Sequence, residues 1–167
     1  MHLPYTLCFC IQGESVLMLY RFNPPNEQLW NGLGGKIESH EQPRTSARRE
    51  LFEEAGIVLS EDISLYFAGI VTWTHEEVNK PVTGMYTFIA DFNSDARLPE
   101  GTIREGKLGR KALSWVCDKD NPEVVENIPH FLTDMFDYNI PLHYHFHYNR
   151  RNILSYTKSH MPISITV

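Results

Sequence analysis

The chain has 167 residues, 42% of them hydrophobic and 22% charged, with a formal net charge of −6. That composition fits one globular domain over residues 1–167 with a proper core, and the acidic balance argues against nucleic acid or an anionic membrane as partner, since both want a basic surface. Cys8, Cys10 and Cys117 show no framework spacing and read as free thiols in a reducing compartment. With no signal-like opening and no apolar run of spanning length, the expected location is cytoplasmic.

In chain order, residues 5–12 and 15–22 read as two strands joined by Gly13-Glu14 in a hairpin. Residues 23–35 are turn-rich and read as a loop. Residues 43–55 read as a helix, with Pro43 suited to the first turn and Gly56 to the position past the end. Strands are expected over 63–75 and 84–92, with a loop over 77–84 between them. Residues 93–110 read as an exposed loop and 112–117 as a strand. A second helix is expected from Asn127 or Ile128 to residue 137, then a terminal hairpin over 142–148 and 152–158. The order predicts an α/β (α+β) fold, a mixed β-sheet between helices. His143, His145 and His147 alternate along one strand and read as a polar strand face, because same-face neighbours on a strand splay apart.

The helix over 43–55 carries an apolar stripe, Ala47, Leu51 and Ala55, beside a cluster of Glu50, Glu53 and Glu54 within about 100° of arc. Like charges at these spacings cost about a few tenths of a kcal/mol each on an exposed helix. A solvated acidic face is one reading; a divalent cation bound by hard oxygen ligands is the other. The surrounding residues decide between them. Gly35, Glu41, Arg49, Glu50, Glu53, Glu54 and Gly56, with Leu51 and Ile57 aliphatic, fill every specified position of G-x5-E-x7-R-E-U-x-E-E-x-G-U, where U is aliphatic. Seven fixed identities would match one window by chance on the order of 10⁻⁸. The pattern over residues 35–57 resembles the Nudix box, and the chain is identified as a member of the Nudix hydrolases.

That resemblance implies hydrolysis of a nucleoside diphosphate linked to another group, assisted by Mg²⁺, with Mn²⁺ able to substitute. It makes Glu53 and Glu54 metal ligands and Glu50 a further ligand or the base that activates water. It has Arg49 orient a glutamate, Glu41 serve structure and the Gly34 carbonyl act as another ligand. A further ligand from a distant loop maps to Glu105, with Glu100 as the substitute. No covalent intermediate is needed.

Residues 5–22 and 29–36 resemble the MutT-type branch, especially the oxidised purine nucleoside triphosphatases. This implies base contacts from Asn31, Glu126 and Asn127, a phosphate contact from Arg21, and pocket positions for Thr6 and Lys36. Asn31 in a turn and Asn127 as a helix cap are the competing structural readings. Phe22, Trp30, Trp73 and Phe131 are candidates for an aromatic wall. The leading expectation is a nucleoside triphosphate pyrophosphohydrolase acting on 8-oxo-dGTP, as a monomer or homodimer. Alternatives are trimming of RNA 5′ ends and a catalytically inactive ligand sensor.

Overall fold

A computed structural model of the chain describes residues 2–60, 63–76, 81–136, 140–150, 152–161 and 167. The strands are β1 (His2–Gln12), β2 (Ser15–Arg21), β3 (Trp30–Asn31), β4 (Leu65–His75), β5 (Thr83–Asp91), β6 (Gly101–Thr102), β7 (Gly106–Ala112), β8 (Leu142–Asn149) and β9 (Asn152–His160). The helices are α1 (Pro43–Ala55), α2 (Leu113–Val116) and α3 (Ile128–Phe131), with a 3₁₀ turn at Asp134–Phe136. All nine strands join one sheet in the order β6-β7-β2-β1-β5-β4-β8-β9, with β3 added to β2. β1 runs parallel to β5 and β4 parallel to β8, while the remaining pairs are antiparallel, so the sheet is mixed.

β1 is central, and its burial on both faces follows from its side-chain alternation. Leu7, Phe9 and Ile11 enter one core with Val116, Ile128, Phe131 and Leu132; Cys8 and Cys10 enter the other with Ala47 and Leu51 of α1. Helical segments thus cover both faces. Phe131 is fully buried and meets Phe9 edge-on at 6.2 Å. No helix among the described residues is long and apolar enough to cross a membrane.

The first hairpin, the helix over 43–55, the strands in 63–75 and 84–92 and the terminal hairpin all form where the sequence places them. α1 ends as expected: Gly56 takes φ 65°, and its N–H reaches the Phe52 carbonyl at 2.8 Å. Other segments differ. The loop over 23–35 contains β3. The stretch 93–110 holds β6 and β7, and β7 pairs with β2 along its whole length, from Arg21↔Gly106 to Ser15↔Ala112. Backbone pairing needs no apolar alternation, and β7 buries only Gly106 and Leu108. Of residues 112–117, Ala112 ends β7 and 113–116 form the single turn α2 where a strand is expected; the Cys117 N–H caps it on the Leu113 carbonyl. The second helix is short, α3 followed by the 3₁₀ turn, with Pro129 in its first turn. Residue 137 and residues 77–80 of the expected loop lie outside the described residues.

Candidate active site

α1 presents its carboxylates toward the turn after β3. Gly34 takes φ 152°, and a Cβ there would lie 2.2 Å from the Thr6 carbonyl oxygen; one on Gly35 would lie 2.5 Å from the Glu50 carboxylate. Both glycines let the chain pass where no side chain fits. In return the Gly34 N–H donates to Glu54 Oε2 at 2.7 Å.

Arg49 organises the cluster. Its Nε and Nη2 donate to the two Glu41 oxygens, both at 3.0 Å, and its Nη1 donates to Glu50 Oε1 at 2.8 Å and Glu53 Oε2 at 3.0 Å. Nη2 also reaches the Lys36 carbonyl at 3.0 Å. A planar five-donor guanidinium can make this fan of bonds; an ammonium cannot. The box arginine and its first glutamate therefore form the scaffold that fixes Glu50 and Glu53. The oxygens not engaged by Arg49 or Gly34 are Glu50 Oε2, Glu53 Oε1 and Glu54 Oε1.

Burial differs across the three carboxylates. Glu54 is 6% exposed, Glu50 is half-buried and Glu53 is open to solvent. Burial pushes the Glu54 carboxyl up to about 8, opposed by the Gly34 N–H and reinforced by Glu105 and Glu50. Burial also raises Glu50, Arg49 pulls it back, and Glu53 and Glu105 raise it further. Arg21 Nη1 lies 3.9 Å from Glu54 Oε1. Glu105 is thus near enough to repel both Glu50 and Glu54, while the alternative, Glu100, is drawn off into an exposed ion pair with Arg110 at 3.1 Å.

Of the other expected site residues, Thr6 is buried beside the glycine turn, and its N–H bonds the Gly35 carbonyl at 2.9 Å. Its hydroxyl has no partner. Lys36 points to solvent. Asn31 Oδ1 accepts from the Gly32 N–H at 2.9 Å, the turn reading weighed from the sequence. Asn127 precedes α3 but makes no side-chain cap; it is buried, with Oδ1 unpartnered. Glu126 Oε1 accepts from the Ile153 N–H at 2.7 Å. Trp30 pairs with residues 123 and 125 through its N–H and carbonyl, which brings Asn31 and Asn127 onto neighbouring segments. Among the candidate aromatics, Phe131 and Trp30 are buried in the core, Trp73 packs at its edge and Phe22 is 45% exposed. Sequence reasoning missed Tyr148, which Asn127 hydrogen-bonds from another element. It also missed Lys111, whose ammonium lies 4.1 Å over the Trp30 ring and 4.8 Å over Trp115. No local pattern could reveal either contact. A groove of about 790 Å³ runs between residues 119–130 and β9, and no box carboxylate lines it.

This geometry stands with a match to known proteins. The NUDIX domain profile matches residues 1–134. The chain belongs to the Nudix family. The uncharacterized Nudix hydrolase YvcI of Bacillus subtilis is 33% identical over 105 residues, 62% of this chain and 61% of its own length. The oxidized purine nucleoside triphosphate hydrolase of Mus musculus is 38% identical over 53 residues, 32% of this chain and 34% of that protein. The chain therefore spans less than two thirds of either curated relative. The crystal structure of a mutator MutT protein from Bacillus halodurans superposes with a TM-score of 0.66 at 23% identity, covering 95% of this chain and 97% of that one; it shares the fold.

The Nudix family generally uses Mg²⁺ or Mn²⁺. Among the described residues, no three of these side chains converge closely enough to hold a metal ion as they stand. The donor set still fits one: Glu50, Glu54 and Glu105 repel one another, and hard carboxylate oxygens are the ligands Mg²⁺ prefers.

Proposed function

We propose that this Nudix hydrolase cleaves within the triphosphate of a purine nucleoside triphosphate, releasing the monophosphate and pyrophosphate, with 8-oxo-dGTP the favoured substrate. The observation that carries the reading is the carboxylate cluster: buried Glu54 and half-buried Glu50, both raised by burial and by Glu105, with Arg49 on Glu50 at 2.8 Å and Arg21 near Glu54 at 3.9 Å. Glu50, Glu53, Glu54, Glu105 and the Gly34 carbonyl would hold Mg²⁺, which when bound neutralises a pyrophosphate's charge and acidifies a coordinated water.

The chain's own residues supply the rest. Glu50, raised by burial and with Oε2 left free by Arg49, would accept the proton of the attacking water. Arg49 holds it in place, and the bare Gly35 leaves it room. Arg21, next to Glu54, is placed to meet a phosphate oxygen. Thr6 Oγ1 and Asn127 Oδ1 are buried without partners, which is rare in folded proteins, and they suit polar groups of a bound base. The short likeness to the mouse oxidised purine nucleotide hydrolase supports the choice of substrate.

The test is pyrophosphate release from 8-oxo-dGTP, dGTP and the common nucleotides, with Mg²⁺ and with chelator. The expected result is turnover only with metal and a clear kcat/KM preference for 8-oxo-dGTP. Equal, slow turnover of all of them would discard the substrate.

A further inference from the structure

The outer third of the sheet carries a feature outside the carboxylate site. On β8, His143, His145 and His147 share one face, in register with Ile70, Thr72 and Thr74 of β4 and with Ser159, Thr157 and Ser155 of β9. The two threonines interleave with the three imidazoles. Thr72 Oγ1 is 2.7 Å from His143 Nε2 and 2.8 Å from His145 Nδ1; Thr74 Oγ1 is 3.3 Å from His145 Nε2 and 3.0 Å from His147 Nδ1. Four contacts thus form one unbroken chain of alternating rings and hydroxyls.

Proton bookkeeping limits that chain. A neutral imidazole has one N–H and one lone pair, and a hydroxyl has one hydrogen. All four contacts are satisfied when every hydrogen points the same way along the ladder, or when one threonine accepts from both of its rings and turns its own hydrogen aside. One added proton is tolerated on His145, which then donates at both ends while the threonines turn outward. With a second proton on His143, Thr72 accepts from both rings and turns its own hydrogen to the Tyr144 carbonyl at 3.4 Å. That second proton brings two cations together, with ring centres 6.4 Å apart.

Among the described residues, none in register on this face offers those two rings a counter-charge. In register on this face stand Ile70, Thr72 and Thr74 of β4, Gly84 and Tyr86 of β5, and Ser155, Thr157 and Ser159 of β9. Glu76, just past β4 at the His147 end, accepts from Asn149 Nδ2 at 2.7 Å. Lys158 is in register with Tyr144, on the opposite face, and pairs with Asp134 at 2.7 Å. Burial first, and then the neighbouring histidine, lowers His143 and His145 below the ordinary imidazole value. The folded hairpin therefore holds these rings neutral while an unfolded chain accepts protons. Its stability is full above the ordinary imidazole range and declines as pH falls through it.

The hairpin also braces other parts. Phe146 and Tyr144 pack on Phe131 at 6.4 and 6.2 Å, and Ile153 N–H holds Glu126. We propose that the Thr72–Thr74/His143–His145–His147 ladder is an acid-sensitive latch: neutral, it zips β8–β9 onto β4, and doubly protonated it releases the hairpin and with it the Glu126–Asn127 wall. The effect on that wall as a substrate contact rests on the function proposed above; the release of the hairpin does not.

Hydrogen exchange of the full chain at about pH 7.5 and 5.5, corrected for intrinsic exchange, tests the latch. Peptides covering residues 142–160 should lose about tenfold or more in protection at the lower pH, while β1 and α1 keep theirs; one pKa unit of depression in one histidine corresponds to tenfold. In H143Q/H145Q/H147Q, whose amides hydrogen-bond without titrating, that loss should vanish. Should the triple variant not fold, H145Q alone should reduce the loss. Equal protection at both pH values in the unmodified chain, or an undiminished loss in the variants, overturns the latch. In the second arm, KM for whichever nucleotide is turned over should rise at the lower pH in the unmodified chain and not in the variant. A flat KM beside an opened hairpin overturns the link to the site, whereas lack of any turnover counts against the proposed function and leaves the exchange result standing.

Discussion

Glu54 is the residue in which the local chemistry is most concentrated. It is buried, it accepts a backbone N–H from Gly34, and its carboxyl is raised to about 8. A raised carboxyl means that the folded state holds a proton the unfolded chain has released. Metal-free stability should thus fall as pH climbs from the ordinary carboxylate range through 8. Glu54→Gln removes that titration while keeping the shape. We expect it to abolish hydrolysis, to match the unmodified chain in chelator near pH 4, and to exceed it by a margin that grows up to about pH 8 in denaturant midpoint. Retained turnover would remove Glu54 from the machinery. The box identities were readable from the sequence because seven of them fall at fixed spacing. The division of labour among them was not. That Arg49 binds Glu41, Glu50 and Glu53 together depends on how far a guanidinium reaches in the folded turn.

At the scale of elements, α1 was legible to its limits. Pro43, the apolar stripe and Gly56 are local signals, and the Gly56 cap has open space around it. Gly34 differs, because its constraint comes from β1 across the fold. Substituting alanine at both positions separates the two causes. Gly56→Ala should cost about 1 kcal/mol, the usual penalty for a left-handed cap. Gly34→Ala, with its Cβ 2.2 Å from the Thr6 carbonyl, should cost at least about 3 kcal/mol and lower activity, as read by urea midpoints and pyrophosphate release. Similar losses at the two sites would contradict the packing described for the glycine turn. β7 and α2 were misread for a related reason. β7 is made a strand by the backbone of β2, and α2 is set by the Leu113 N–H bonding the Glu14 carbonyl at 2.9 Å. Neither partner is near in sequence.

Over the whole molecule, the sheet separates two tasks. One face packs α1, which carries the carboxylates; the other packs α2 and α3, which bring residues 123–131 beside Trp30. Phe131 joins the second face to the terminal hairpin through Phe9, Tyr144 and Phe146. Phe131→Ala should cost about 3–5 kcal/mol in calorimetry or denaturant unfolding. A loss below about 1 kcal/mol would show that the helical layer is not anchored there.

By itself the sequence determined the acidic helix, its carboxylate pattern, the mixed α/β class and the family, because each rests on identities or periodicities within a few turns of chain. Tertiary structure alone decided which glutamates are buried, that Glu105 and not Glu100 faces them, and that Asn127 buries an unpartnered carbonyl and caps nothing. It also set the threonines of β4 between the histidines of β8. Burial and charge proximity join residues distant in the chain, and the energies they create exist only once the sheet has brought those residues together.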